Sequence, residues 1–182
     1  MKSYKSILIV EDDEDLSIAM KRSFERHDYQ VKCVKSLKEV KEIVRKFNFT
    51  NAIVDLKIIG ESGLEVIKFL NNFDQKIKII MLTGYASITT TIMAIKSGAC
   101  YYLAKPANVE MIIDAFDKEG FNSEQTEIKI SKKETSLKNL EWEHINKALV
   151  ENNFNISKTA RILNMHRRTL SRKLQKRGIA FN

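Results

Sequence analysis

Proline occurs once in this chain, at Pro106, and cysteine twice, at Cys33 and Cys100, with no CxxC spacing. So few cysteines exclude a disulfide framework or a thiolate metal site, and both thiols read as reduced residues lying in or beside buried strands. Histidine is as scarce: His27, His144 and His166 are too dispersed to propose a metal site. No apolar run approaches the roughly 20 residues needed to cross a bilayer. The N-terminus, Met1-Lys2-Ser3-Tyr4-Lys5, leads straight into a short apolar run that stops at acids. That is not a signal peptide, so a cytoplasmic location without membrane insertion is expected. Acidic residues are missing from one end only: from Ser157 onward there are eight basic residues and none that is acidic.

The overall charge of +8 is therefore unevenly distributed. Residues 1–120 are nearly neutral, with 18 Lys/Arg against 17 Asp/Glu, whereas residues 121–182 carry 13 against 6. A stretch so short and so basic favours a polyanionic partner. The hydrophobic pattern divides at the same place. Short apolar runs at 7–10, 31–34, 52–54, 77–82 and 101–103 alternate with stretches of helical spacing near 15–27, 37–47, 63–70, 88–96 and 109–118. Five strands alternating with five helices predict a (βα)5 doubly wound parallel sheet covered on both faces. The strands read as continuous rather than alternating apolar runs, as strands buried on both faces do.

Residues 121–137 are polar with little to bury and read as a linker, with one short extended piece at Ile128–Ile130. Helical spacing resumes with Leu140, Ile145, Ala148 and Leu149. It pauses at Asn152–Asn155, runs from Ser157 to Leu163, turns at Asn164–His166 and runs again from Arg167 until Gly178 supplies the stop. The expected organisation is a domain at 1–120, the linker, and a small all-α domain of three helices at 138–182.

Ligands of a doubly wound sheet sit beyond the carboxyl ends of its strands. Glu11-Asp12-Asp13 follow the first run, Asp55 and Thr83 end the third and fourth, and Lys105-Pro106 follow the fifth. Carboxylates converging in one crevice repel each other unless a cation sits among them. Oxygen ligands from Glu11, Asp12 and Asp55 suit Mg²⁺. A carboxylate beside Mg²⁺ is a competent nucleophile toward a phosphoryl group, whose oxygens Lys105 and Thr83 then hold. Two other chemistries fit less well. Aspartyl-phosphate phosphatases place a second Asp two residues after the nucleophile, where this chain has Lys57. A flavodoxin phosphate loop would not carry Glu11-Asp12-Asp13, which repel a phosphate.

The segments Ile-Leu-Ile-Val-Glu-Asp-Asp, Val-Asp-Leu, Leu-Thr-Gly-Tyr-Ala-Ser and Tyr-Tyr-Leu-Ala-Lys-Pro resemble the signatures of CheY-like receiver domains over about residues 5–120. The resemblance implies that Asp55 is the phospho-acceptor, that Asp12 binds the metal directly and Glu11 largely through water, and that the Lys57 carbonyl is a further metal contact. It also implies that Thr83 and Tyr102 report phosphorylation to the face made by the fourth helix, fifth strand and fifth helix, and that the Lys105–Pro106 bond is cis. In one respect the chain departs: Ile59, followed by Gly60, replaces the family's usual Pro four residues after the acceptor. That alters the loop and removes no ligand.

Near the C-terminus, Ser157 reads as the N-cap of the first helix of a pair, with Ala160, Leu163, Met165, Leu170 and Leu174 as the apolar interior. The second helix is then expected to expose Arg167, Arg168, Arg172, Lys173, Lys176 and Arg177. A face of guanidinium and ammonium groups suits the major groove, where Arg reads guanine edges and Lys neutralises phosphates. Residues 140–179 resemble the Fis-type helix-turn-helix. Thr-Ala-Arg-Ile-Leu-Asn-Met-His-Arg-Arg-Thr-Leu, with Trp-Glu-His-Ile upstream, is similar to response regulators of the RegA/PrrA/ActR type. By that resemblance His166, Arg167 and Thr169 open the recognition helix, and Arg172 and Lys173 continue it. It further implies a membrane-bound sensor histidine kinase as phosphodonor, in redox-responsive control. The expected protein is a DNA-binding regulator, not a turnover enzyme, that accepts a phosphoryl group, hydrolyses it on itself and forms a homodimer when phosphorylated. The alternative is a relay or phosphate sink whose C-terminal domain docks on a protein.

Overall fold

A computed structural model of the chain describes residues 5–58, 61–118 and 137–177. Most of the expected linker with its extended piece, the Ile59-Gly60 departure and the Gly178 stop lie outside the described residues. Five strands, β1 (Lys5–Val10), β2 (Tyr29–Val34), β3 (Asn51–Val54), β6 (Lys78–Thr83) and β7 (Tyr101–Ala104), form one parallel sheet in the order β2-β1-β3-β6-β7. The helices between them are α1 (Glu14–Glu25), α2 (Leu37–Ile43), α3 (Gly63–Phe73), α4 (Ile88–Ser97) and α5 (Val109–Asp117). One feature was not legible: β4 (Lys57–Ile58) and β5 (Glu61–Ser62) pair antiparallel just after β3.

Both faces of the sheet are buried, which is why the strands read as continuous apolar runs. Leu8 and Val10 of β1 point into a cluster with Val40, Val66, Ile67 and Leu70, whereas Ile7 and Ile9 join Met20, Phe24, Ile112 and Phe116 on the other face. Each helix start has a local cause. Asp13 accepts from the Leu16 N–H at 3.0 Å, and Asn108 from that of Met111 at 2.8 Å. Ser87 and Thr90 form a reciprocal capping box on α4. That helix ends at Gly98, whose φ of 111° is left-handed and where a Cβ would stand 2.4 Å from the Asn71 side chain.

Beyond the linker lie α6 (Leu137–Glu151), α7 (Ile156–Ile162) and α8 (Arg167–Gln175), with Ile145, Leu149, Ala160, Leu170 and Leu174 buried. Two expectations are corrected. The cap of α7 is Asn155, whose side chain accepts from the Lys158 N–H at 2.9 Å; Ser157 lies inside the first turn. Leu140, expected in the apolar stripe, is 56% exposed, and Trp142 takes the inward place. A four-residue turn, with Asn164 at φ 50°, joins α7 to α8, the connection of a helix-turn-helix. Both cysteines are free; Cys33 lies in the edge strand β2 and is exposed. No helix among the described residues is long and apolar enough to cross a membrane.

Candidate functional site

Parallel register brings the candidate polar residues to one edge of the sheet, and the backbone ladder runs on into them. The Glu11 N–H donates to the Val34 carbonyl at 3.1 Å, that of Asp55 to Val10 at 3.0 Å, and that of Lys105 to Thr83 at 3.0 Å. The site residues are thus anchored by the same bonds that hold the strands. Lys105 Nζ lies 2.6 Å from Glu11 Oε2 and 3.0 Å from Asp55 Oδ2. Carboxylate oxygens of Glu11, Asp12 and Asp55 all lie within 4.8 Å of one another. Asp13 does not join them, because its side chain caps α1.

Three carboxylates face one ammonium group, and the protonation equilibria show the imbalance. Burial, then the charge of Asp55, raises the Glu11 pKa against the pull of Lys105. Burial likewise raises that of Asp55, with Lys105 opposing. Burial works against the charge of Lys105, but Asp55 and Glu11 outweigh it and its pKa is raised. Asp55 Oδ1 is buried with no hydrogen-bond partner. Uncompensated negative charge, an orphaned carboxylate oxygen and an all-oxygen donor set fit a hard divalent cation. Lys57 opens β4, two residues past Asp55.

Thr83 is wholly buried, and its Oγ1 accepts from the Tyr85 N–H at 3.1 Å. Tyr102 is hydrogen-bonded not to Thr83 but to Thr90 Oγ1, at 2.9 Å in the first turn of α4. The expected pair is therefore joined through the Gly84–Thr90 segment. The Lys105–Pro106 bond is cis, as the resemblance implies.

Gly63 is a site residue that sequence reasoning passed over. It donates to the Leu56 carbonyl at 2.7 Å, and a Cβ on it would stand 1.9 Å from the Asp55 carbonyl oxygen. Ala would favour the helix start by about 1 kcal/mol, but a clash with fixed backbone outweighs that. Gly63→Ala is expected to destabilise the fold by about 3 kcal/mol. Gly84→Ala, where a Cβ meets nothing within 4 Å, is expected to stay within about 1 kcal/mol of wild type. Urea midpoints of the two variants check the contrast.

On α8, with Leu170 and Leu174 inward, Arg168, Arg172 and Lys176 face outward, and Arg167 is exposed in the first turn. His166 Nδ1 accepts from the Arg168 N–H at 3.2 Å and caps the helix, and Thr169 is half-buried. Five of the six cations expected to be exposed are so, and Lys173 is half-buried; two of the six also contact α6. Lys173 pairs with Glu141 at 2.8 Å, and Arg177 lies over the Trp142 ring, 5.1 Å from its centre, within 3.4 Å of Asn139 Oδ1. Both turn back onto α6.

Known proteins divide the chain the same way. The response regulator receiver domain matches residues 7–117, and the bacterial regulatory protein, Fis family, matches residues 136–176. The photosynthetic apparatus regulatory protein RegA of Rhodobacter capsulatus is 35% identical over 97% of this chain and 94% of its own length. The acid tolerance regulatory protein ActR of Rhizobium meliloti is 37% identical over 96% and 88%. A crystal structure of a response regulator from Burkholderia pseudomallei, with a phosphorylated aspartic acid, calcium ion and citrate, is 43% identical with a TM-score of 0.64. It covers 93% of this chain and 98% of that one.

Proposed function

Because this chain belongs to the response regulators, as a receiver joined to a Fis-family domain in the manner of the transcriptional regulators RegA and ActR, we propose that phosphorylation of Asp55 switches its action on DNA. The observation that carries this reading is the cluster of Glu11, Asp12, Asp55 and Lys105 at one sheet edge, with Thr83 beside it and an exposed basic helix at the other end of the chain. Asp12 and Asp55, with Glu11 and the Lys57 carbonyl, would hold Mg²⁺, which supplies charge neutralisation for phosphoryl transfer. An oxygen of Asp55 attacks the phosphorus of a phosphohistidine on the kinase. The P–N bond breaks as the P–O bond forms, and the departing imidazole takes a proton. Lys105 leaves the carboxylates to meet a phosphoryl oxygen, and the Thr83 hydroxyl donates to another. Water later hydrolyses the acyl phosphate on the same chain, so the receiver turns over only itself.

The two domains are read at 1–120 and 138–182 with the linker between them, and the protein as cytoplasmic, partnered by a membrane-bound sensor kinase in redox-responsive control. Arg167, Arg168, Arg172 and Lys176 are exposed while α6 rests against the receiver. Access of the recognition helix to DNA therefore does not by itself require undocking, and phosphorylation is read as promoting homodimerisation or freeing the C-terminal domain. Nothing observed favours the relay or phosphate-sink alternative.

The switch is tested at Thr83. With Mg²⁺ and acetyl phosphate, wild type is expected to gain on the order of tenfold in affinity for duplex DNA. Thr83→Ala is expected to be labelled and to gain little, because the hydroxyl contact exists only with the phosphoryl group present. Equal gains measured for the two by fluorescence anisotropy would place the coupling elsewhere.

A further inference from the structure

The C-terminal domain meets the receiver at α4 and at the Gly84–Thr89 connection into it. The Phe154 ring packs on Tyr85, with centres 5.1 Å apart and planes at 59°. Trp142 Nε1 donates to the Ala86 carbonyl at 3.3 Å. The Glu143 carboxylate accepts from the Ile88 N–H at 2.9 Å, the Thr89 N–H at 3.1 Å and the Thr89 hydroxyl at 3.0 Å. Glu143 thus places its negative charge on the N–H groups at the start of α4, where a helix favours an anion.

Phe154, at φ 57°, donates its N–H to the Leu149 carbonyl at 2.8 Å and so closes α6, which sets its ring against Tyr85. One residue of α6 suits an interface that opens. One turn beyond Trp142, Asn146 is 1% exposed, and both atoms of its carboxamide are buried without partners among the described residues. An apolar residue would hold this face more firmly; a carboxamide regains hydrogen bonds once the face is open to water.

The gripped segment is also the wall of the acceptor site. Tyr85 donates its N–H to Thr83 Oγ1 and lies near enough to Asp55 and Asp12 that their charges add to burial in raising its pKa. Thr90, in the turn that Glu143 caps, holds the Tyr102 hydroxyl. The C-terminal domain therefore fastens the residues that must rearrange around a phosphoryl group.

We propose that Glu143 is a positioning residue for phosphoryl transfer to Asp55, restraining Thr83 through the Gly84–Thr89 segment so that docking slows phosphorylation. This rests on Asp55 as the acceptor. While Glu143 is seated the receptive arrangement is a minority state, and the rate falls with its population. Linkage makes the effect reciprocal: the phosphoryl group loosens docking by the factor by which docking disfavours it.

The test uses the full chain with Mg²⁺ and subsaturating acetyl phosphate, and Trp142, the sole tryptophan, as an emission reporter of docking. Glu143→Gln, which keeps the shape and loses the charge, is expected to label on the order of tenfold faster. Its emission is expected to lie to the red before any phosphodonor is added. Beryllofluoride with Mg²⁺ should shift wild type the same way and leave Glu143→Gln nearly unmoved. Thr89→Ala alone, which removes one of the three bonds to the carboxylate, should label faster than wild type by a smaller factor, and the double variant should gain less than the two single gains combined. Phe154→Ala, which leaves the carboxylate in place, should move rate and emission in the same direction. A red-shifted Glu143→Gln that labels at the wild-type rate overturns the proposal, as does a variant with both emission and rate unchanged. Asp55→Asn run alongside separates the causes: labelling that survives there removes the acceptor assignment, and this proposal with it.

Discussion

Incubated with Mg²⁺ and acetyl phosphate, Asp55→Asn is expected to take up no acid-stable, base-labile phosphoryl group where wild type takes up one. The substitution is nearly isosteric and leaves the Asp55 N–H bond to the Val10 carbonyl intact. Only the nucleophile and its charge are lost, and an amide oxygen does not attack phosphorus as a carboxylate does. Asp12→Asn is expected to behave differently, recovering labelling at raised Mg²⁺ because it removes charge at the metal rather than the attacking group. Mass spectrometry of the intact chain across a Mg²⁺ series distinguishes the two. Stability should move the opposite way from activity. The folded-state pKa of Asp55 lies above its ordinary value because burial disfavours the ion. Its favourable contribution is therefore present below the ordinary carboxylate range and is lost as pH rises through the folded value. Asp55→Asn should accordingly unfold at higher urea than wild type at neutral pH, and the two should converge in acid. Full labelling of the variant would end the acceptor assignment.

The second large effect concerns DNA. With Arg167, Arg168, Arg172 and Lys176 free to meet phosphates and base edges, and Lys173 and Arg177 turned onto α6, about four cations per chain release counterions. The log–log salt slope should then be about −3.6 per chain, a loss of roughly 150-fold between roughly 50 and 200 mM salt. Arg167→Ala and Arg168→Ala, in the first turn of α8, should each cost about 1–3 kcal/mol and relax sequence preference. Lys176→Ala, deeper along the helix, should weaken all sequences alike and lower the slope by about one. Lys173→Ala separates structure from recognition. It breaks a half-exposed ion pair with Glu141 worth at most about 1 kcal/mol and should leave the salt slope almost unchanged. Anisotropy titrations of the phosphorylated full-length chain at several salt concentrations give all four results. A shallow slope with no difference between DNA sequences would instead indicate a protein-docking helix.

Much of the receiver fold is written in local pattern. Continuous apolar runs at Ile7–Val10 and Ile77–Leu82 belong to strands covered on both faces, and polar residues just past such runs converge because parallel strands share a carboxyl edge. That reasoning located Glu11, Asp12, Asp55, Thr83 and Lys105 without coordinates. It passed over Gly63, because a glycine before an amphipathic stretch looks like any helix start; only the 1.9 Å approach of Asp55's carbonyl makes it obligatory. It put the α7 cap at Ser157 because Ser and Asn are both good caps two residues apart, and packing chose Asn155.

The sequence by itself determined the strands of the parallel sheet and the helices, which ends of those strands carry acid and which helix carries base, because periodicity, capping chemistry and charge act over a few residues. Tertiary structure alone decided how those charges are used. Lys173 and Arg177 carry the same charge as Arg172, yet packing of α8 against α6 turns them to Glu141 and Trp142. Glu143 is one more acid on an amphipathic helix until folding sets it against N–H groups 55 and 54 residues earlier, at Ile88 and Thr89. Long-range docking leaves no local pattern, because its partner is a backbone terminus that any sequence possesses.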